Sequence, residues 1–185
     1  MTLNATDPEY SLPEKLQLRP IDIISLGSFV LERVFSLSST IGTTEQDNVD
    51  INSITNTYGG CATTVSCIAS RLGSTTALIS KTGDDKPCKE ALNNLTSTGV
   101  DITYVACHTN EPGSVIRLLT DPNGHWTALD SINTNLQLTI NDLPNVDYFT
   151  KVKILHIDGY SFIASDQSKN VVLEAVTRAS KAGCI

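Results

Sequence analysis

The chain has 185 residues, 40% hydrophobic and 18% charged, with a net charge of −7 and a pI of about 4.8. That length suits one domain with a sizeable core, which would bury roughly 70% of its unfolded surface. The acidic balance excludes a broad nucleic-acid-binding face, but not a local phosphate site built from backbone amides.

The opening stretch, "MTLNATDPEYSLPEKLQLRP", is polar and carries no period. Residues 1–19 are therefore read as a loose arm. It has no basic start and no apolar core, so it is not a signal peptide. No apolar run in the chain reaches the length of a membrane span. The sequons Asn4-Ala5-Thr6 and Asn94-Leu95-Thr96 are taken as chance, and the cytoplasm is the expected compartment. Five scattered cysteines, without CxxC or a Cys/His cluster, fit neither a disulfide framework nor a zinc site.

After the arm, "IDIISLG" reads as a buried parallel strand ending in glycine. "SFVLERVFSL" alternates in part, "TTEQDN" is a polar loop, and "VDINSITNTY" alternates again. The stretch "TYGGCATTVSCIASRLGS" then sets Gly59-Gly60 against a helix whose apolar stripe is Val65, Ile68, Ala69 and Leu72. The glycine pair is either a ligand floor, where bare amides face a bound group, or a tight strand-to-helix turn.

"TTALISK" is a strand, and "KPCKEALNNLTSTG" is a helix with Ala91, Leu92 and Leu95 inward. Asp85 is its expected N-cap. "ITYVAC" is a strand, and "GSVIRLLTDPNGHWTALDSI" is a hairpin turning at Asn123-Gly124. A linker through Pro144 leads to the strand "VKILHIDG". An amphipathic helix follows, with Val172, Ala175, Val176 and Ala179 on one side and Ser165 or Asp166 as its cap. Alternating strands and helices imply a parallel α/β sheet, and the alternating strands and hairpin imply a second, small antiparallel layer.

The order of these pieces resembles the N-terminal half of the ribokinase-like carbohydrate kinases, the PfkB family. The pieces are "LGS" after a strand, "GG" before a helix, "TGDD" before the next, then "GVDITYV" and "ILHIDG". The resemblance covers about Ile21 to Gly183. It implies a three-layer α/β/α sandwich with a mostly parallel sheet and a small antiparallel β lid. Residues 20–185 would be the N-terminal part of a ribokinase-like domain, with lid strands near 29–37, 49–58 and 115–129.

The resemblance further implies a sugar held between lid and sandwich. Gly59 and Gly60 would form the floor. Glu32 stands where the family has an aspartate that grips hydroxyls, and Thr64 where it has an asparagine. Asp158 falls at an acidic position facing the cleft, and Cys88 replaces an expected glycine. Bare residue reading leaves alternatives for three of these. Glu32 is a sugar ligand or a solvated lid carboxylate, Asp158 a cleft acid or a helix cap, and Thr64 a contact or helix-face filler. His156 is read as a satisfied core histidine, and His125 and Trp126 as an exposed hairpin tip.

The family's activity is ATP-dependent phosphorylation of a carbohydrate hydroxyl. The glycine-rich catalytic loop, the nucleotide pocket and the magnesium motif of that family have no counterpart up to residue 185. The expectation is therefore the substrate-binding half of a sugar kinase. Catalytic, cofactor and metal residues are absent from it, and the sites for ATP and Mg2+ lie beyond residue 185. The alternative is a non-catalytic sugar-binding or interaction module. The expected partner is a small-molecule sugar, without nucleic acid or membrane, and the candidate assembly is a homodimer through the lid. A nicotinamide-dependent reductase is disfavoured because the first βα turn lacks GxGxxG.

Overall fold

The computed structural model describes residues 11–42, 48–130 and 137–185. Half of the expected arm and nearly all of the expected "TTEQDN" loop lie outside the described residues. Strands β1 (Ile21–Leu26), β4 (Thr76–Gly83), β5 (Val100–His108) and β8 (Val152–Ile157) form one sheet, in the order β5-β4-β1-β8. Every pairing in it is parallel. Strands β2 (Val30–Leu37), β3 (Ile51–Gly59), β6 (Val115–Thr120) and β7 (Trp126–Asp130) form a second sheet, in the order β3-β2-β6-β7.

The second sheet is mixed rather than wholly antiparallel, because β2 and β6 run parallel. The reason is topological. Both strands are entered from the C-terminal ends of strands of the parallel sheet, β1 and β5, so the chain crosses into the second sheet twice in the same direction.

Alternation along β1 and β4 divides the apolar residues between two faces. On one face Ile24, Leu26, Ala77 and Ile79 pack with Val171, Val172, Ala175 and Ala179 of α6 (Asp166–Lys181). On the other, Leu78 packs with Phe29, with Ala62 of α2 (Cys61–Arg71) and with Leu92 and Leu95 of α3 (Lys86–Ser97). The result is the expected three-layer sandwich with two cores. Ser165 is the cap of α6, its hydroxyl accepting from the Ser168 N–H at 3.1 Å.

The stripe expected on α2 is not its buried face. Ile68 and Leu72 are exposed, and Ala62, Thr63 and Ser66 face inward. Small side chains let the helix lie close to the sheet, and their hydroxyls are satisfied by main chain. Thr63 Oγ1 donates to Ser28 O at 2.8 Å, and Thr76 Oγ1 of the sheet donates to Ser66 O at 3.2 Å. The expected Pro144 linker is also core. It holds a 3-10 turn (Ile140–Asp142) and the short helix α4 (Val146–Phe149), and it buries Leu138, Leu143 and Phe149.

Within the expected arm, the described part is packed. A helical turn, α1 (Glu14–Gln17), buries Leu16, and Arg19 reaches across to the far end of the chain. Its guanidinium donates to Val152 O and Ala182 O, both at 2.6 Å. Beyond β8, Ile185 N–H donates to Lys153 O at 3.0 Å, and Leu155 N–H donates to Ile185 O at 2.8 Å. That is one rung of parallel pairing on the outer edge of β8. Among the described residues no helix is long and apolar enough to cross a membrane.

Charge-assisted bonds from a half-buried guanidinium are worth about 1.5–3 kcal/mol each at most, and water replaces part of that. Arg19→Ala is therefore expected to cost about 1–3 kcal/mol in urea denaturation, with Arg19→Lys recovering only part, since one ammonium cannot reproduce the two-ended fork.

Candidate functional site

The site is assembled where β1, β3 and β8 end. Gly27 and Ser28 follow β1, Gly59 and Gly60 lead into α2, and Asp158 follows β8. Ser28 joins the three. Its N–H and its hydroxyl both donate to Asp158 Oδ2 at 2.7 Å. Its hydroxyl also accepts from the Cys61 N–H at 3.2 Å, at the first turn of α2. Its carbonyl accepts from Thr63 Oγ1.

Asp158 is 2% exposed. Its second oxygen accepts from the Ser161 N–H at 2.7 Å and so caps the short helix α5 (Gly159–Ile163). Asp158 is thus the N-cap of α5. Burial pushes this carboxyl upward, but the donors from Ser28 and Ser161 outweigh burial and hold it below the ordinary aspartate value. A side chain at Gly27 would collide with that carboxylate.

The glycine pair is now explained locally. Gly60 has φ 98°, a left-handed conformation, and a Cβ there would strike the Ser28 carbonyl. Gly59 ends β3 opposite Val30 of β2, and a Cβ there would strike Glu32 Oε1. The missing side chains make room for a carboxylate above and a turn below. Glu32 sits on β2 directly beside Thr57 of β3 and Ile116 of β6.

Four of the five expected residues are thus linked. Glu32 meets Gly59, and Gly60 and Asp158 meet through Ser28. Thr64 is exposed one turn into α2, and its N–H donates to Gly60 O at 2.8 Å. Sequence reasoning missed Ser28 and Thr63. The "LGS" after β1 was the available signal, since a hydroxyl directly after a strand-ending glycine is placed to bond neighbouring turns.

Asp85 is the N-cap of α3, as expected. Its two oxygens accept from the Cys88 N–H at 2.9 Å and from the Gly113 N–H at 3.1 Å. Cys88, in the slot expected to hold glycine, is fully buried, and its sulfur fills the space above Gly113. Burial pushes its thiol up to about 11. His125 and Trp126 lie exposed at the hairpin tip, where Asp121 accepts from His125, Asn123 and Thr40. His156 departs from expectation. Its Nδ1 is buried without a hydrogen-bond partner among the described residues, as is the hydroxyl of Ser25, its neighbour across the strands.

A cleft of about 420 Å3 lies between the second sheet and α3, walled by Arg33, Asn56, Tyr58, Glu90 and Asn94. Glu32 and Thr57 border it, whereas Gly59, Gly60, Thr64 and Asp158 do not.

Residues 21–185 match the model of the pfkB family carbohydrate kinases. This chain belongs to that family. Among solved structures, this pfkB-family chain is similar to a putative ribokinase from Agrobacterium tumefaciens, at 14% identity and a TM-score of 0.73, covering 89% of this chain and 50% of that one. It is similar to a putative Ribokinase II from E. coli in complex with ATP and Mg2+, at 20% identity and a TM-score of 0.73, covering 89% and 51%. It is also similar to a fructokinase from Xylella fastidiosa with bound ATP, at 15% identity and a TM-score of 0.74, covering 91% and 50%. At such identities the likeness establishes the fold alone. No curated protein sequence matches. The pfkB-family chain spans about half the length of the solved structures it resembles.

Two outcomes are expected from this geometry. Asp158→Asn removes a charge held by three donors, and at neutral pH it should cost about 1.5–3 kcal/mol in urea denaturation. The folded pKa is depressed, so the wild-type advantage is present above the ordinary aspartate value near 3.9 and fades as pH falls through the depressed value. Wild type and variant should therefore converge in stability under acid. Separately, iodoacetamide at pH 8 should label exposed Cys61 and Cys107 and spare Cys88 until the chain unfolds, as read by peptide mass spectrometry.

Proposed function

We propose that this chain is the substrate-binding half of an ATP-dependent sugar kinase. The observation that carries the reading is the Glu32 carboxylate lying over Gly59, at a turn whose bare backbone is fixed by Ser28. A carbohydrate hydroxyl both donates and accepts, so it pairs with a carboxylate above and with main-chain amides below. Neutral hydrogen bonds are worth about 0.5–1.5 kcal/mol net and those to a charge about 1.5–3, so several must converge on one sugar.

In this reading Glu32 grips hydroxyls, Gly59 and Gly60 provide the floor, and Thr64 offers one further hydroxyl. Asp158 acts through Ser28, as a positioning residue that fixes the Gly60 turn, because its own oxygens are occupied. The second sheet serves as the lid, excluding water from the acceptor hydroxyl. ATP would supply the phosphoryl group, as it is bound in the Ribokinase II complex named above. Among the described residues no group of three or more acidic, histidine or cysteine side chains stands together to hold a metal. A cytoplasmic location is part of the same reading.

A second reading, a sugar-binding or interaction module without catalysis, is favoured by one observation. The lid exposes Ile51, Ile54, Trp126 and Leu129, which suits pairing of two copies through the lid.

The test is calorimetric titration of the chain with D-fructose and D-ribose. Glu32→Ala should weaken binding about tenfold or more, the loss of a charge-assisted hydrogen bond. Unchanged affinity for every sugar bound would remove Glu32 from the site.

A further inference from the structure

The 420 Å3 cleft is distinct from the diglycine floor. In the second sheet Leu31 pairs with Tyr58, Glu32 with Thr57 and Arg33 with Asn56. Successive side chains alternate between faces, so Arg33, Asn56 and Tyr58 share the face opposite Glu32. That face looks onto α3, where Glu90 and Asn94 are one turn apart. The volume falls in the range of roughly 300–1,000 Å3 typical of small-molecule pockets.

The wall holds hydrogen-bonding capacity that the protein leaves unused. Arg33 gives its Nε to Asn56 Oδ1 at 3.0 Å and has no carboxylate partner among the described residues. The Asn94 side-chain amide, the Asn56 amide nitrogen and the Arg33 terminal nitrogens have no protein partner there either. Glu90 has only a loose, exposed pairing with Lys86 at 3.7 Å. Tyr58, Leu31, Pro87 and Val115 add apolar surface.

We propose that this cleft is a second small-molecule site, taking a neutral polyol. A hydroxyl is satisfied equally by guanidinium, amide and carboxylate, because it donates and accepts. Arg33 lines the cleft with Asp85 and Glu90, so the wall presents no single sign of charge that selects a net anion or a net cation. The apolar residues suit the carbon face of such a ligand. The cleft is bounded by the second sheet on one side and α3 on the other, so its occupant contacts both. The site does not depend on the sugar-kinase reading and survives its failure.

The experiment is amide chemical-shift mapping of the full chain titrated with D-sorbitol, with L-alanine and inorganic phosphate as the zwitterionic and anionic comparisons. Sorbitol should saturably shift the amides of Arg33, Asn56, Glu90 and Asn94. Asn94→Leu should weaken that response by about two- to tenfold, the loss of one or two hydrogen bonds, while leaving Gly59 and Gly60 in place. Arg33→Met, which keeps the long stem, is the second variant if Asn94→Leu unfolds. The proposal is overturned if sorbitol leaves those four amides unmoved, if alanine or phosphate moves them as strongly, or if the response survives both substitutions.

Discussion

The Ser28–Asp158 contact is the constraint on which the site depends. A carboxylate buried to this degree must be met by donors, or it is driven to its neutral form. Here the donors come from β1's end and from the first turn after β8. Meeting them locks two parallel strands together at their C-terminal ends, where α/β sheets present their ligand sites. Ser28 then passes the constraint on. Its hydroxyl and carbonyl hold the start of α2, so the Gly60 turn has one position relative to β8.

The second sheet inherits that position. β2 begins two residues after Ser28, and its partner β3 ends at Gly59, so the β2–β3 pair is anchored at this junction. The small inward face of α2 serves the same end. Ala62, Thr63 and Ser66 allow close approach to the sheet, and a larger stripe would push the helix, and the Gly60 turn with it, outward. The Asp85–Gly113 contact does similar work on the other side. It ties the cap of α3 to the segment that enters β6. The second sheet is therefore held at two points by carboxylate acceptors, buried at Asp158 and half-buried at Asp85.

The outer edge of the parallel sheet is less complete. β8 carries a single rung of further pairing at Ile185, and the orphaned Ser25 and His156 atoms face the same side of the sheet as α2. Buried polar atoms are ordinarily paired with protein or water. These two are the described exceptions, His156 on β8 itself and Ser25 opposite it on β1.

The sequence alone determined the order of the strands and the three long helices, the two-sheet division, the Asp85 cap, the hairpin at Asn123-Gly124 and the family. Each of these is written in local periodicity, turn chemistry or motif order, which act over a few residues. The lid's mixed pairing was not legible, because direction in the second sheet follows from how distant parallel strands deliver the chain. The buried face of α2 was misjudged because its apolar stripe obeys helical spacing, while close packing against the sheet selects small residues. The burial and bonding of Asp158 were decided only by tertiary structure. They depend on Ser28, 130 positions earlier in the chain, being brought beside it. The same holds for Gly59, whose need for a bare α-carbon comes from Glu32 on the neighbouring strand. Such contacts carry no mark in the residues themselves, since the steric and hydrogen-bonding demands that explain them exist only once the strands have paired.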